Sequence, residues 1–172
     1  MADDRPDQEQ FVIPNTSEIT VEQIMRRDVP AIGPDDTVAY VAKTMVDHRL
    51  AGVPVVDDGE VIGIITESDI IQREADIDAP TPVPFLDAIF VADAGALYGD
   101  EVRRALAINA RMLMSNPVTN IRQSATLSEV ATVMIDRHLK VLPVLDDEER
   151  LVGIVTRAEL VRVIAELENQ AS

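Results

Sequence analysis

Cysteine and tryptophan are absent from the 172 residues, which hold only three phenylalanines and two tyrosines. Without cysteine there is no disulfide and no thiolate metal site. With aromatics at 3%, the core must be aliphatic, built from Val, Ile, Leu and Met. Lysine is almost missing: Lys43 and Lys140 stand against thirteen arginines, and 31 acidic residues set the formal net charge at −16. A field of that sign repels nucleic acid and anionic membrane, so neither is expected as a partner. No apolar run reaches the roughly 18 residues of a membrane span. The acidic, polar N-terminus does not read as a secretory signal. The expectation is a soluble, cytoplasmic, acidic protein with one compact core or two half-domains sharing one.

What the chain does contain is a duplication. Gly63-Ile64-Ile65-Thr66-Glu67-Ser68-Asp69-Ile70 returns as Gly153-Ile154-Val155-Thr156-Arg157-Ala158-Glu159-Leu160. Aligning Met25 with Met114 and reading forward pairs Val29 with Val118, Ile32 with Ile121, Thr37 with Thr126, Met45 with Met134, and Pro54-Val55 with Pro143-Val144. One extra residue near Glu149 restores the register. Self-similarity at a fixed offset marks an internal repeat.

Thr20-Val21-Glu22-Gln23 has capping-box spacing, so a short helix begins there and ends before Pro30. Val29 to Ile32 reads as extended. Val38, Val41, Ala42, Met45 and Val46 recur at helical spacing between Thr37 and about Arg49. Gly52–Val56 and Val61–Ile65 form a hairpin across Asp57-Asp58-Gly59-Glu60, and a helix follows from Thr66 to about Ala75. The second copy repeats the plan: a helix from the Thr126-Leu127-Ser128-Glu129 capping box to about His138, strands Val141–Leu145 and Leu151–Val155, and a closing helix from Thr156 to about Leu167. The unit is β-α-β-β-α, twice, an α/β (α+β) fold. The expected divisions are a flexible acidic tail at 1–16, a first repeat at 17–76, an insertion at 77–111 and a second repeat at 112–172. The insertion opens with Pro80, Pro82 and Pro84. It carries the apolar run Phe85-Leu86-Asp87-Ala88-Ile89-Phe90-Val91, read either as a lid on its own core or as a dimer contact. Asp100 is placed as the N-cap of a helix running from Glu101 to about Ser115.

Gly-Val-Pro-Val-Val-Asp in the first strand and Gly-Ile-Ile-Thr-x-x-Asp at the hairpin exit, spaced and duplicated in this way, resemble the CBS-domain (cystathionine-β-synthase domain) family. The resemblance covers residues of about 20–75 and 112–168. It implies tandem repeats packed as a pseudo-two-fold pair, with clefts for adenosine-containing ligands such as AMP, ADP, ATP or S-adenosylmethionine. It further implies a regulatory role toward an effector protein of unknown identity, and a homodimer. An adenine nucleotide or S-adenosylmethionine would then be a regulatory ligand and not a covalent cofactor. The insertion lies outside what the resemblance implies.

On that footing Asp69 is the candidate for the ribose hydroxyls, with Thr66 and the helix N-terminus toward the phosphate. The residue pattern alone allows another reading, because Thr-x-x-Asp is also a helix start. In the second copy Glu159 follows Thr156, a better capping box whose extra methylene departs from the family pattern. Val53-Pro54 and Leu142-Pro143 are placed against the purine, with Val29, Ile32, Val118 and Ile121 on its other side and Ile65 at the strand end. Each is equally suited to core packing. Lys140 is the candidate phosphate contact; its counterpart, Ala51, carries no charge. Arg49, His48, Arg137 and His138 lie at nearby helix ends, where cations also offset the helix dipole. Two histidines with no third ligand give no metal site. The Asp57-Asp58 and Asp146-Asp147 pairs are read as solvated turns. No nucleophile–base pair occurs, so no catalytic residue is assigned and the protein is expected not to be an enzyme.

Overall fold

The computed structural model describes residues 18–74 and 107–170. The acidic tail, the proline-containing stretch, the Phe85–Val91 run and the Asp100 cap lie outside the described residues. The elements of the described residues follow in the order α1 (Val21–Ile24), α2 (Val38–His48), β1 (Gly52–Asp57), β2 (Glu60–Thr66), α3 (Glu67–Glu74), α4 (Ala110–Leu113), β3 (Ile121–Arg122), α5 (Leu127–Asp136), β4 (Val141–Leu145), β5 (Leu151–Thr156) and α6 (Arg157–Gln170).

The expected hairpins are present. β1 and β2 pair antiparallel, Val53 opposite Ile65, and β4 and β5 do the same, Leu142 opposite Val155. The extended segment before each hairpin adds a parallel edge: β3 pairs with β4, and Ile32 bridges to Val55. α2 and α5 start alike, with Thr37 accepting from the Tyr40 N–H at 3.2 Å and Thr126 from the Glu129 N–H at 3.2 Å. A left-handed residue follows each: Arg49 (φ 52°) directly after α2, and His138 (φ 57°) one residue beyond the Arg137 cap of α5.

One expectation fails. A single helix from Glu101 to Ser115 does not form. Asn109 is extended (φ −137°) and its side chain accepts from the Met112 N–H at 3.1 Å, so the helix begins at Ala110 and lasts one turn. Asn109 occupies in the second repeat the place of Thr20 in the first, and α4 is the counterpart of α1. Reading the repeat backward from Met25 and Met114 exposes that match.

The leading helices are exchanged between the repeats. Val21, Ile24 and Met25 pack with Ile121, Leu127, Val130, Met134 and Leu142 in the core of the second repeat. Ala110, Leu113 and Met114 pack with Ile32, Val41, Val53 and Ile65 in the core of the first. Backbone bonds follow the exchange: the Val21 N–H donates to Ala125 O at 2.7 Å, and the Ala110 N–H to Asp36 O at 2.8 Å. Each core is therefore completed by its partner repeat, and the burial of aliphatic surface that stabilises one stabilises both. Among the described residues no helix is long and apolar enough to cross a membrane.

The hairpin-turn aspartates are not all solvated. Asp58 and Asp147 are exposed, but Asp57 is ion-paired to Arg111 at 2.8 Å and Asp146 is 6% exposed. The Asp146 carboxylate accepts from the Glu148 and Arg150 N–H groups at 3.0 and 2.9 Å and from Arg150 Nε at 2.8 Å. The extra residue in this turn, Glu149, takes a left-handed φ of 62° and lets the chain wrap round the carboxylate. The Arg150 side chain, first among several causes, holds the Asp146 carboxyl below the usual carboxylate range. A pKa lowered on folding contributes stability above the unfolded-state value of about 3.9, and that contribution is lost as pH falls through the folded value. We expect Asp146→Asn to flatten the acid side of the stability curve below about pH 4. Urea midpoints measured from pH 7 down to pH 3 that fall in parallel for both proteins would refute this.

Candidate functional site

The pseudo-two-fold brings the two hairpin exits face to face across the segments that follow α1 and α4. Ser115 pairs with Ile64, N–H to O in both directions at 2.9 and 3.2 Å, and Arg26 pairs with Ile154 in the same way at 2.8 and 2.9 Å. Each crossing needs the glycine one residue earlier. A Cβ on Gly63 would meet Met114 Sδ at 2.4 Å, and one on Gly153 would meet Arg26 O at 2.6 Å. The repeated Gly-Ile-Ile/Val-Thr is thus a strand that another strand crosses at close range.

Two clefts result. In the first, at the junction of β2 and α3, the Asp69 carboxylate is 5% exposed. It accepts from the Thr66 N–H and Thr66 Oγ1, both at 2.7 Å, and from Ser115 Oγ at 3.3 Å. Lys140, from the other repeat, places Nζ 3.5 Å from Ser68 Oγ. Thr66, Ser68 and Asp69 of the first repeat thus meet Ser115 and Lys140 of the second. In the second cleft the Glu159 carboxylate accepts from the Thr156 N–H at 3.0 Å and from the Thr156 hydroxyl. The extra methylene of Glu159 does not prevent the helix-start contact that Asp69 also makes.

The remaining candidates divide. The side chains of Ile32, Val53, Ile65 and Leu142 are in the cores, and Pro54 and Pro143 are buried in their strands. What these six can present to a ligand is backbone. Val29 and Val118 are half-buried and Ile121 belongs to the second core. Ala51 faces no phosphate with charge, but its O accepts the Glu67 N–H at 3.1 Å, as Lys140 O accepts that of Arg157 at 3.2 Å. His48 closes α2 and His138 lies in the turn after α5, and among the described residues no group of His, Asp and Glu is placed to hold a metal ion. Ser115 and Arg26 are the site residues that forward reading of the repeat passes over. They adjoin the aligned methionines, and that adjacency was the available signal.

Elsewhere, the outer face of the first repeat carries two open concavities between α2 and α3, of about 350 and 510 Å3. The larger is lined by Met45, Val46, Leu50, Glu67, Ile70 and Ile71. Val46 and Ile71, and their counterparts Ile135 and Val161, are between 65 and 76% exposed.

The family model described as the CBS domain matches twice, over residues 21–76 and 110–166. Residues 77–109 lie between the two matches, within two residues of the expected insertion at 77–111. Protein MJ1426 of Methanocaldococcus jannaschii is 30% identical over 153 residues, covering 84% of this chain and 90% of that one. Protein MK0525 of Methanopyrus kandleri is 31% identical over 146 residues, covering 84% and 62%. An inosine-5'-monophosphate dehydrogenase of M. jannaschii also matches at 24% identity, but the aligned part is 23% of that enzyme. Among solved structures, CBSX2 in complex with AMP superposes with a TM-score of 0.69 at 22% identity, covering 86% of this chain and 97% of that one. The CBS domain pair of protein MJ0100, in complex with 5'-methylthioadenosine and S-adenosyl-L-methionine, has a TM-score of 0.61 at 23% identity, covering 86% and 96%.

Proposed function

Since the chain belongs to the CBS-domain family, whose paired units are typically regulatory rather than catalytic, we propose that it is a sensor of adenosine-containing ligands with no catalytic step of its own. The observation that carries this reading is the meeting of Thr66 and Asp69 from one repeat with Ser115 and Lys140 from the other. A carboxylate accepts both ribose hydroxyls, and an ammonium group with a helix N-terminus beside it attracts phosphate. The backbones of Val53-Pro54 and of the segment holding Val29 and Ile32, which pairs with that strand, flank the adenine with Ile65 at the strand end, and Val118, Ile121, Leu142, Pro143, Thr156 and Glu159 build the second cleft. AMP in CBSX2, and 5'-methylthioadenosine and S-adenosyl-L-methionine in the pair of MJ0100, support the ligand class.

Because the cores are exchanged, a ligand between the repeats bears on both at once. It shifts their arrangement by as much as it prefers one arrangement over the other. The exposed pairs Val46/Ile71 and Ile135/Val161 put an apolar patch at the same place on each repeat. We read these patches as the face of a homodimer and of an effector protein.

Native mass spectrometry of the purified protein tests the reading in one experiment. The expected result is a dimer, about twice 18.8 kDa, that releases an adenosine-containing compound or takes up added AMP or S-adenosylmethionine. A protein that neither releases nor takes up such a compound would be a ligand-free interaction module, with Thr66-x-x-Asp69 serving only to start α3.

A further inference from the structure

Arg26 is held at its two ends by different repeats. Its backbone is paired in both directions with Ile154, two residues before Thr156, at the edge of the second cleft. Its side chain turns toward the first repeat and donates to His48 O at 2.6 Å and to Arg49 O at 3.3 Å, the terminal carbonyls of α2. Ser115, in the equivalent place, turns its hydroxyl into the first cleft toward Asp69. The same backbone position thus bears a hydroxyl that faces Asp69 in one repeat and, in the other, a guanidinium bonded to the end of α2 two residues before Ala51. The two clefts also differ in their other cation: Lys140 reaches Ser68 in the first, and the matching residue for the second is Ala51.

We propose that Arg26 is the phosphate-reading residue of the second cleft and, through the same side chain, a latch on the end of α2. This rests on the adenosyl-ligand reading above. The carbonyls at a helix C-terminus carry partial negative charge and hold a guanidinium while no anion is present. A phosphate is the stronger acceptor, because both partners are ionised and the planar fork of arginine matches its oxygens. Occupation by an adenylate therefore draws Arg26 off His48 O and Arg49 O. It leaves the last turn of α2 held by the Arg49 and Leu50 N–H bonds to Val46 and Met45. That turn carries Val46, on the wall of the larger outer concavity. The exchange of partners at Arg26 is the differential contact by which a filled cleft acts on the outer face.

The test uses protein in which the first cleft is disabled by Asp69→Ala and Lys140→Ala, titrated with adenosine and with AMP by calorimetry. Arg26→Gln should weaken AMP by about tenfold or more and leave adenosine unchanged, with partial recovery in Arg26→Lys. With Arg26 present, AMP should speed amide exchange at Arg49 and Leu50; with Arg26→Gln it should not. The proposal is overturned if Arg26→Gln weakens both ligands alike or neither, if α2 does not respond to AMP, or if the disabled protein binds nothing while the wild type binds. If the wild type itself binds neither ligand, the adenosyl reading fails first. Arg26→Lys, which keeps a cation at the end of α2, separates loss of phosphate contact from loss of a fold-stabilising cap.

Discussion

Asp69→Ala is expected to weaken adenylate binding by about tenfold or more, and Asp69→Glu to do nearly the same while leaving stability close to that of the wild type. A hydrogen bond to a charged group contributes about 1.5–3 kcal/mol, and 1.4 kcal/mol is a factor of ten in affinity. The alanine variant alone is ambiguous, because the carboxylate also accepts from the Thr66 N–H and hydroxyl. Loss of a helix start of this kind costs about 1 kcal/mol of stability. The glutamate variant resolves it, since Glu159 makes the same helix-start contacts in the second repeat. Asp69→Glu therefore keeps the helix-start contacts and moves the carboxylate relative to the ribose and to Ser115 Oγ. Lys140→Ala should reduce affinity for AMP and ATP more than for adenosine, since an ammonium group there acts on phosphate alone, and Glu159→Ala should leave the tighter site unchanged. Calorimetry on the four variants decides the matter. If Asp69→Glu binds like the wild type, the Asp69 carboxylate is a helix cap and nothing more.

Gly153→Ala should destabilise the protein by about 1–3 kcal/mol, the range for a methyl group forced into a packed interior. Gly63→Ala should cost less. The neighbours explain the order. At Gly153 the new Cβ would lie 2.6 Å from Arg26 O, the backbone oxygen of a residue whose N–H and O are both bonded to Ile154. Retreat of that strand breaks both bonds and pulls Met25 from the second core. At Gly63 the first obstacle is Met114 Sδ, part of a flexible thioether that can take another rotamer. Urea unfolding of the two variants measures the difference, and an equal or larger loss for Gly63→Ala would remove the close strand crossing as its cause. The same crossing ties the two repeats together, so Gly153→Ala should also broaden the unfolding transition as the repeats lose their common cooperativity.

Local patterns in the chain were enough for the repeat, the hairpins, and the starts of the helices at Thr20, Thr37, Thr66, Thr126 and Thr156. These rest on local rules: helical and strand periodicity, the capping spacing at Thr20, Thr37 and Thr126, and turn residues such as Gly59 between apolar strands. The sequence also determined which residues gather at the hairpin exits, because Thr66 and Asp69, or Thr156 and Glu159, lie three apart on one helix start. What it could not determine was which repeat completes which core. Val21, Ile24 and Met25 are equally apolar whichever hydrophobic face receives them, and only the crossings at Gly63 and Gly153 assign them to the second repeat. The helix expected over Glu101–Ser115 failed for the same kind of reason. Nothing local forbids it, but Asn109 is extended and bridged to Thr37 in the other repeat. The buried state of Asp146 also waited on tertiary structure, since an aspartate in a turn is solvated until an arginine four residues on folds back over it. The reach of Lys140 to Ser68 and of Arg26 to the end of α2 was decided there too, because both contacts join residues that only the pseudo-two-fold brings together.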